Sequence, residues 1–160
     1  MQTPSLSRSA ALLAATALLA ACASGPVRRV SEPSARIQQL TVRADGGWEV
    51  ELRLQNYSSI PMRFERVRLA LTAAGQAAGD VVATPALDIG PASADVVAVT
   101  LQPTTAAKLA VADALASRRA VAYELAGEIA ATPEKKSQQT FDIEHRSSLN
   151  PAPGLPGVLR

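Results

Sequence analysis

The chain has 160 residues, a formal net charge of +2 and a hydrophobic fraction of 48%. Its near-neutral charge lacks the basic excess of a nucleic-acid-binding surface, and an aromatic content of 3% leaves no stacking platform for bases or sugars. The single cysteine, Cys22, excludes a disulfide framework within the chain.

The first residues have the order of an export signal. Arg8 gives a single positive charge, and residues 11–21 form an apolar run without any charge. As a helix this run reaches roughly 17 Å, which is too short for the ~30 Å hydrocarbon core of a bilayer. We therefore expect residues 1–21 to be a signal peptide rather than a transmembrane helix.

The end of this run, Leu19, Ala20, Ala21 and Cys22, resembles the lipobox of bacterial lipoproteins. The resemblance implies cleavage before Cys22, attachment of lipid to its sulfur and acylation with a chain such as palmitate at the new amino terminus. Because the residue after the cysteine is not Asp, it also implies sorting to the outer membrane, facing the periplasm. The alternative is a plain secretory signal in which Cys22 has no role.

Residues 22–35 are predicted to be the lipidated cysteine and a flexible tether. They contain Pro, Gly and Ser and have no hydrophobic periodicity. A flexible chain of this length spans about 20 Å on average. Arg28 and Arg29 are expected either to stay solvated or to contact anionic lipid headgroups.

Alternating hydrophobicity then predicts antiparallel strands. After a turn at residues 45–47, residues 48–55 are predicted to form a strand in which apolar side chains facing inward alternate with polar side chains facing outward. The inward-facing residues are Trp48, Val50, Leu52 and Leu54. In the following strand the parity changes near Glu65 and Arg66, which predicts a β-bulge.

The remaining elements are short. Strands are predicted at 78–83, 86–89, 94–101, 121–129 and 140–146, and Ala-rich residues 104–117 form the one helical candidate, capped by Thr104 or Thr105. The sequence thus predicts an all-β fold, an antiparallel sandwich of the immunoglobulin or fibronectin III type with one α-helix.

The Pro/Gly-rich residues 147–160 are expected to be a disordered tail.

The order of these elements resembles the water-stress and hypersensitive-response (WHy) domain of the late-embryogenesis-abundant (LEA) type 2 proteins. The segments that carry the resemblance are EVELRLQN, IPMRFERVRLALT, VVAVTL, YELAGEI and FDIEHR. We place this domain at residues 36–146. The family's Asn-Pro-Asn turn corresponds to Asn56, Tyr57 and Ser58, of which the first Asn is kept. The resemblance implies a sandwich with one helix, roles in binding and in stress responses such as desiccation, and no catalytic residues.

The residues themselves give no catalytic set either. Glu49 and Glu51 lie two apart on a polar strand face, where a solvated surface is favoured over acid–base chemistry. His145 lies on the apolar parity of the last strand and is expected to be a partly buried structural residue rather than a ligand. There is no Cys/His cluster for zinc and no Gly-rich phosphate loop, so we expect no metal and no cofactor.

One charged surface stands out. Arg63, Arg66 and Arg68 follow one another along a single strand and form a candidate docking face for a partner, with a solvated face as the alternative.

The sequence therefore predicts a non-enzymatic envelope lipoprotein that is bound to the membrane through its lipid and acts in stress protection or binding. The alternative is an adaptor lipoprotein that docks another envelope protein through an exposed sheet edge. An enzyme is the least favoured class, and nucleic acid is not an expected partner.

Overall fold

The computed structural model describes residues 27–160, so the predicted signal peptide, the lipobox and Cys22 lie outside the described residues. Within this range the chain forms nine β-strands and one α-helix, arranged as two antiparallel sheets packed into a sandwich. This confirms the predicted fold class. The elements in chain order are β1 (Ser34–Val42), β2 (Trp48–Gln55), β3 (Met62–Ala73), β4 (Gln76–Ala83), β5 (Leu87–Ile89), β6 (Ala94–Leu101), α1 (Thr105–Ala116), β7 (Val121–Pro133), β8 (Gln139–Leu149) and β9 (Val158–Leu159).

The chain passes repeatedly from one sheet to the other. Sheet A has the strand order β6-β2-β1-β9, and sheet B has the order β4-β3-β7-β8 with β5 also pairing with β3. Sheet A therefore takes strands from the beginning, the middle and the end of the described chain. The chain thereby crosses between the two sheets four times within residues 34–159.

Strict alternation builds the core. In β2 the side chains of Trp48, Val50, Leu52 and Leu54 are fully buried, while the residues between them are half-buried or exposed. The predicted facing of this strand is confirmed. Burying each of these large apolar side chains contributes roughly 1.5–3 kcal/mol to stability.

A bulge corrects the phase of β3, as the sequence predicts. Phe64 and Val67 are both fully buried although they differ in parity, and the register between β3 and β7 shifts between Phe64 and Arg66. The extra residue lets both halves of the strand present apolar side chains to the same core.

The helix begins where the sequence predicts. Thr104 is the N-cap, and its hydroxyl accepts a hydrogen bond from the backbone N–H of Ala107 at 3.2 Å. The buried side of α1 consists of Ala107, Val111 and Ala114. These small side chains let the helix lie close to the edge of the sandwich.

The C-terminal residues differ from the expected disordered tail at 147–160. Residues 147–149 complete β8, and β9 pairs with β1, where Leu159 fits into the core with no exposed surface. Gly154 and Gly157 both have a φ of +76°, which lets the Pro/Gly-rich loop turn back on itself. The Pro/Gly-rich residues, whose composition indicates disorder, instead form a tight loop between β8 and β9.

The N-terminal boundary also differs from the predicted one at residue 36. Strand β1 already begins at Ser34, and Pro33 and Ala35 are buried. The preceding residues 27–33, the N-terminal segment below, are hydrogen-bonded to the sandwich rather than free of it.

Candidate functional site

The predicted lipidation site cannot be placed, because Leu19, Ala20, Ala21 and Cys22 lie outside the described residues. Within residues 27–160, no helix is both long enough and apolar enough to cross a bilayer. The lipid anchor therefore stays a prediction.

The predicted family turn is the most tightly bonded polar feature of the sandwich. The Asn56 side chain is fully buried, and its Nδ2 donates to the carbonyl oxygens of Ile60, Ile89 and Gly90 at 2.9–3.0 Å. Its Oδ1 accepts from the backbone N–H of Ser58 at 2.8 Å. One amide thereby joins the residue after β2 of sheet A to the end of β5 in sheet B and to the loop before β3.

The next two polar residues hold the N-terminal segment. The Ser58 hydroxyl is buried and bonds both the backbone N–H and the carbonyl of Ser31. The Ser59 hydroxyl accepts from the N–H of Arg29 at 2.8 Å and donates to the carbonyl of Val27 at 2.7 Å. The structure thus joins Asn56 and Ser58 by a hydrogen bond and adds Ser59, which sequence reasoning did not select. The two consecutive serines, Ser58 and Ser59, are the feature of the sequence that could have indicated this role.

A salt bridge fixes the N-terminal segment at a second point. The Arg28 guanidinium lies 2.6 Å from the carboxylate of Glu134, in the turn after β7. The hydrogen bond from Arg28 lowers the pKa of this carboxyl below its ordinary value. Residues 28–31 are therefore held at the end of the sandwich where residues 56–59 lie. We name residues 56–59 the 56–59 turn.

The three arginines of the predicted docking face all lie on the outer surface of sheet B. Arg63 forms a 2.7 Å ion pair with Asp88 of β5. Arg66 and Arg68 line a shallow depression of about 70 Å³ together with Glu128, and Arg68 faces Glu128 directly in the β3–β7 register. The face is thus one of mixed charge rather than a purely basic patch.

The remaining candidate residues are separated from one another. Glu49 and Glu51 lie on the outer face of sheet A, and the ring of half-buried His145 is 5.8 Å from that of Tyr123. The Tyr123 hydroxyl accepts from the N–H of Ile37 at 3.2 Å, and burial raises its pKa above the ordinary value. In the part of the chain that the structure describes, no three His, Cys, Asp or Glu side chains are grouped as metal ligands.

Two strand edges lie side by side at one flank of the sandwich. Strand β6 ends sheet A and β4 ends sheet B, and a groove of about 360 Å³ runs between them. Val82 lines this groove and is 47% exposed. From Val96 to Leu101 the β6 edge carries no charged residue, so it lacks one of the usual devices that protect an edge strand.

Comparison with known protein families finds no matching family model, and comparison with curated protein sequences finds no match. Among solved structures, the chain is similar to a protein from Archaeoglobus fulgidus, with 12% identity, a TM-score of 0.44, and coverage of 78% of this chain and 98% of the other. It is similar to AT1g01470 from Arabidopsis thaliana, with 12% identity, a TM-score of 0.48, and coverage of 82% and 89%. It is also similar to the structural genomics target SoR45, with 11% identity, a TM-score of 0.45, and coverage of 79% and 92%.

Proposed function

We propose that this chain is a lipid-anchored envelope protein whose LEA type 2-like (WHy) sandwich acts by non-covalent binding in stress protection. The observation that carries the proposal is the position of Asn56. This is the residue that the chain shares with the family's turn, and it is the one whose buried amide bonds three carbonyls. A turn held in this way fixes the shape of the end of the sandwich from which the N-terminal segment leaves.

The anchor and the 56–59 turn act together in this proposal. The carbonyl of Val27 is bound by Ser59, and Cys22 lies only five residues before Val27. Five extended residues span at most about 18 Å. A lipid on Cys22 would hold this end of the sandwich close to the membrane surface, where confinement raises the effective concentration of the domain towards its partners.

Lipidation is tested by metabolic labelling with a fatty acid. Wild-type chain is expected to carry label and to be cleaved before Cys22, whereas Cys22→Ala is expected to carry none and to stay uncleaved or misplaced. Ala23→Ser, which changes a neighbouring small residue, is the matched control and is expected to keep the label. Label on the Cys22→Ala chain would contradict the anchor.

The role in stress protection is tested in a deletion strain. The lipidated chain is expected to restore envelope stress tolerance, and a Cys22→Ala chain exported at equal abundance is expected to fail. Rescue by neither form would contradict stress protection. Equal rescue by both would remove the anchor from the mechanism.

The exposed flank of the sandwich favours a second function, that of an adaptor docking an envelope protein by strand addition to β6. Its support is the part of the β6 edge from Val96 to Leu101, which has no charged residue and lies beside the exposed side chain of Val82. A photo-crosslinker at Ala98 is expected to give a discrete adduct in cells. Val82→Lys should abolish this adduct, and Leu109→Lys, a change at an exposed leucine of α1, should not. Absence of an adduct from Ala98 would contradict the adaptor function.

A further inference from the structure

A small pocket beside the 56–59 turn combines cationic and neutral donors from four parts of the chain. Its volume is about 250 Å³. The lining residues are Ser34 and Arg36 of β1, Arg53 and Gln55 of β2, Tyr57 of the turn, and His145 of β8.

Two arginines lie side by side in this pocket. The β1–β2 register places Arg36 directly opposite Arg53. Like charges directly opposite one another on a sheet are destabilising. Neither guanidinium forms an ion pair with any residue from 27 to 160, although Glu51 lies two residues from Arg53 along β2. The fold therefore keeps two guanidinium groups opposite each other with neither of them in an ion pair within this range.

One donor in the pocket has no partner. The Nε of Arg53 is buried and has no hydrogen-bond acceptor among the described residues. A buried N–H without an acceptor costs free energy, and such groups are rare in folded proteins. Because Arg53 lines the pocket, an acceptor bound there would satisfy this N–H once the side chain turned it towards the pocket.

We propose that this pocket binds a phosphoryl group. Two guanidinium groups, the hydroxyls of Ser34 and Tyr57 and the ring of His145 offer more donors than the two oxygens of a carboxylate can accept. A phosphate monoester carries close to two negative charges and three terminal oxygens, and bidentate bonds from arginine fit its geometry. It matches both the charge and the donor number of the pocket.

The phosphoryl group has two sources, a lipid headgroup or a free phosphate compound. Tyr57 belongs to the same turn that holds the N-terminal segment, so under the proposed anchor the pocket would lie near the headgroups. The headgroup source rests on that proposed function, whereas binding of free phosphate does not.

The test follows the Arg53 Nε–H signal by NMR in the purified full chain, in a neutral maltoside detergent and a phosphate-free buffer. Added inorganic phosphate is expected to shift this signal in a saturable way. Arg36→Gln is expected to weaken phosphate affinity at least tenfold, as is Arg53→Gln when affinity is measured by calorimetry. Arg66→Gln, which removes the same charge from the outer face of sheet B, is expected to bind as wild type does. Arg53→Lys keeps the charge but not the planar fork, and intermediate affinity is expected.

The sources are separated with the chain in lipid nanodiscs. A shifted Arg53 signal in discs containing phosphatidic acid, whose headgroup is a phosphate monoester, but not in discs of phosphatidylcholine alone, identifies the headgroup. A shift with inorganic phosphate only identifies a free phosphate compound. The Cys22→Ala chain in detergent should still respond to phosphate, so failure of the anchor and failure of the pocket are distinguishable. No shift under any condition, or equal weakening by Arg53→Gln and Arg66→Gln, would overturn the proposal.

Discussion

Both sheets carry arginines on their outer faces, but the two sets have different surroundings. On sheet B, Arg63 is paired with Asp88, and Arg68 faces Glu128 across the strands. On sheet A, Arg36 faces Arg53, and neither has an ion-pair partner within residues 27–160. The registers of sheet B thus place a carboxylate opposite Arg63 and Arg68, although of these two only Arg63 forms an ion pair with a described residue, whereas the register of sheet A places two arginines opposite each other.

This difference shows that a strand rich in arginine is not necessarily the strand whose arginine N–H groups lack hydrogen-bond acceptors. Arg63, Arg66 and Arg68 lie close together in one strand, but β5 and β7 bring carboxylates to the same face. Arg36 and Arg53 lie in different strands and meet only through the register. Cross-strand pairing, rather than local composition, determines which arginines lie opposite a like charge.

The largest expected effect tests the inward side of the strand that presents Arg53. Leu52→Asp should unfold the domain, because an unpaired charge in the fully buried core costs several kcal/mol. Glu51→Lys, on the outer side of the same strand, is the control and should change the free energy of unfolding by about 0.5 kcal/mol or less. The measurement is urea denaturation followed by circular dichroism. Similar destabilisation by the two variants would show that the two sides of β2 are wrongly assigned.

The second effect tests the turn that places Tyr57 beside the sheet A arginines. Asn56→Ala should lower the free energy of unfolding by about 3 kcal/mol, because it leaves two buried carbonyls, one part-buried carbonyl and the N–H of Ser58 without this partner. Asn150→Ala removes the same amide at an exposed position and should cost about 0.5 kcal/mol or less. Equilibrium denaturation of both variants gives the comparison. A loss below about 1 kcal/mol for Asn56→Ala would mean that the turn does not fix this end of the sandwich.

Much of the fold follows from local pattern. The alternation from Trp48 to Leu54 predicts the buried side of β2, the parity change at Glu65 predicts the bulge, and Thr104 predicts the start of the helix. Each of these signals lies within one element, where the spacing of apolar residues or the chemistry of a cap is sufficient.

The parts that the sequence did not predict depend on distant partners. Strand β9 has only two residues, too few for any periodicity, and it is ordered because Leu159 meets a core built by other strands. The N-terminal segment has no hydrophobic pattern and is held by Ser58 and Ser59 through its backbone. The Arg36–Arg53 pair likewise requires the β1–β2 register, which includes an irregularity between Ile37 and Gln39.

A third prediction compares the two arginine faces directly by the sign of a stability change. Arg53→Gln should raise the free energy of unfolding by up to about 0.5 kcal/mol in phosphate-free buffer, because it relieves the repulsion with Arg36. Arg63→Gln should lower it by about 0.2–1 kcal/mol, because it breaks an exposed ion pair with Asp88. Chemical denaturation at low ionic strength is the measurement, and 1 M salt should reduce both changes. Changes of the same sign would contradict the contrast between the two faces.

The smallest effect concerns Arg28 of the N-terminal segment. Like Arg63, this arginine forms an ion pair with a carboxylate. Its hydrogen bond lowers the pKa of Glu134, so the interaction is present above the ordinary value of 4.5 and is lost as the pH falls through the lowered pKa. Arg28→Ala should return the pKa of Glu134 towards 4.5, as followed by NMR titration of its side-chain carboxyl. Arg29→Ala removes the neighbouring positive charge and should leave the titration of Glu134 unchanged, because Arg29 is held through its backbone. If both variants moved the pKa equally, the general field of the N-terminal segment would be responsible and the specific contact at Glu134 would not hold the segment in place.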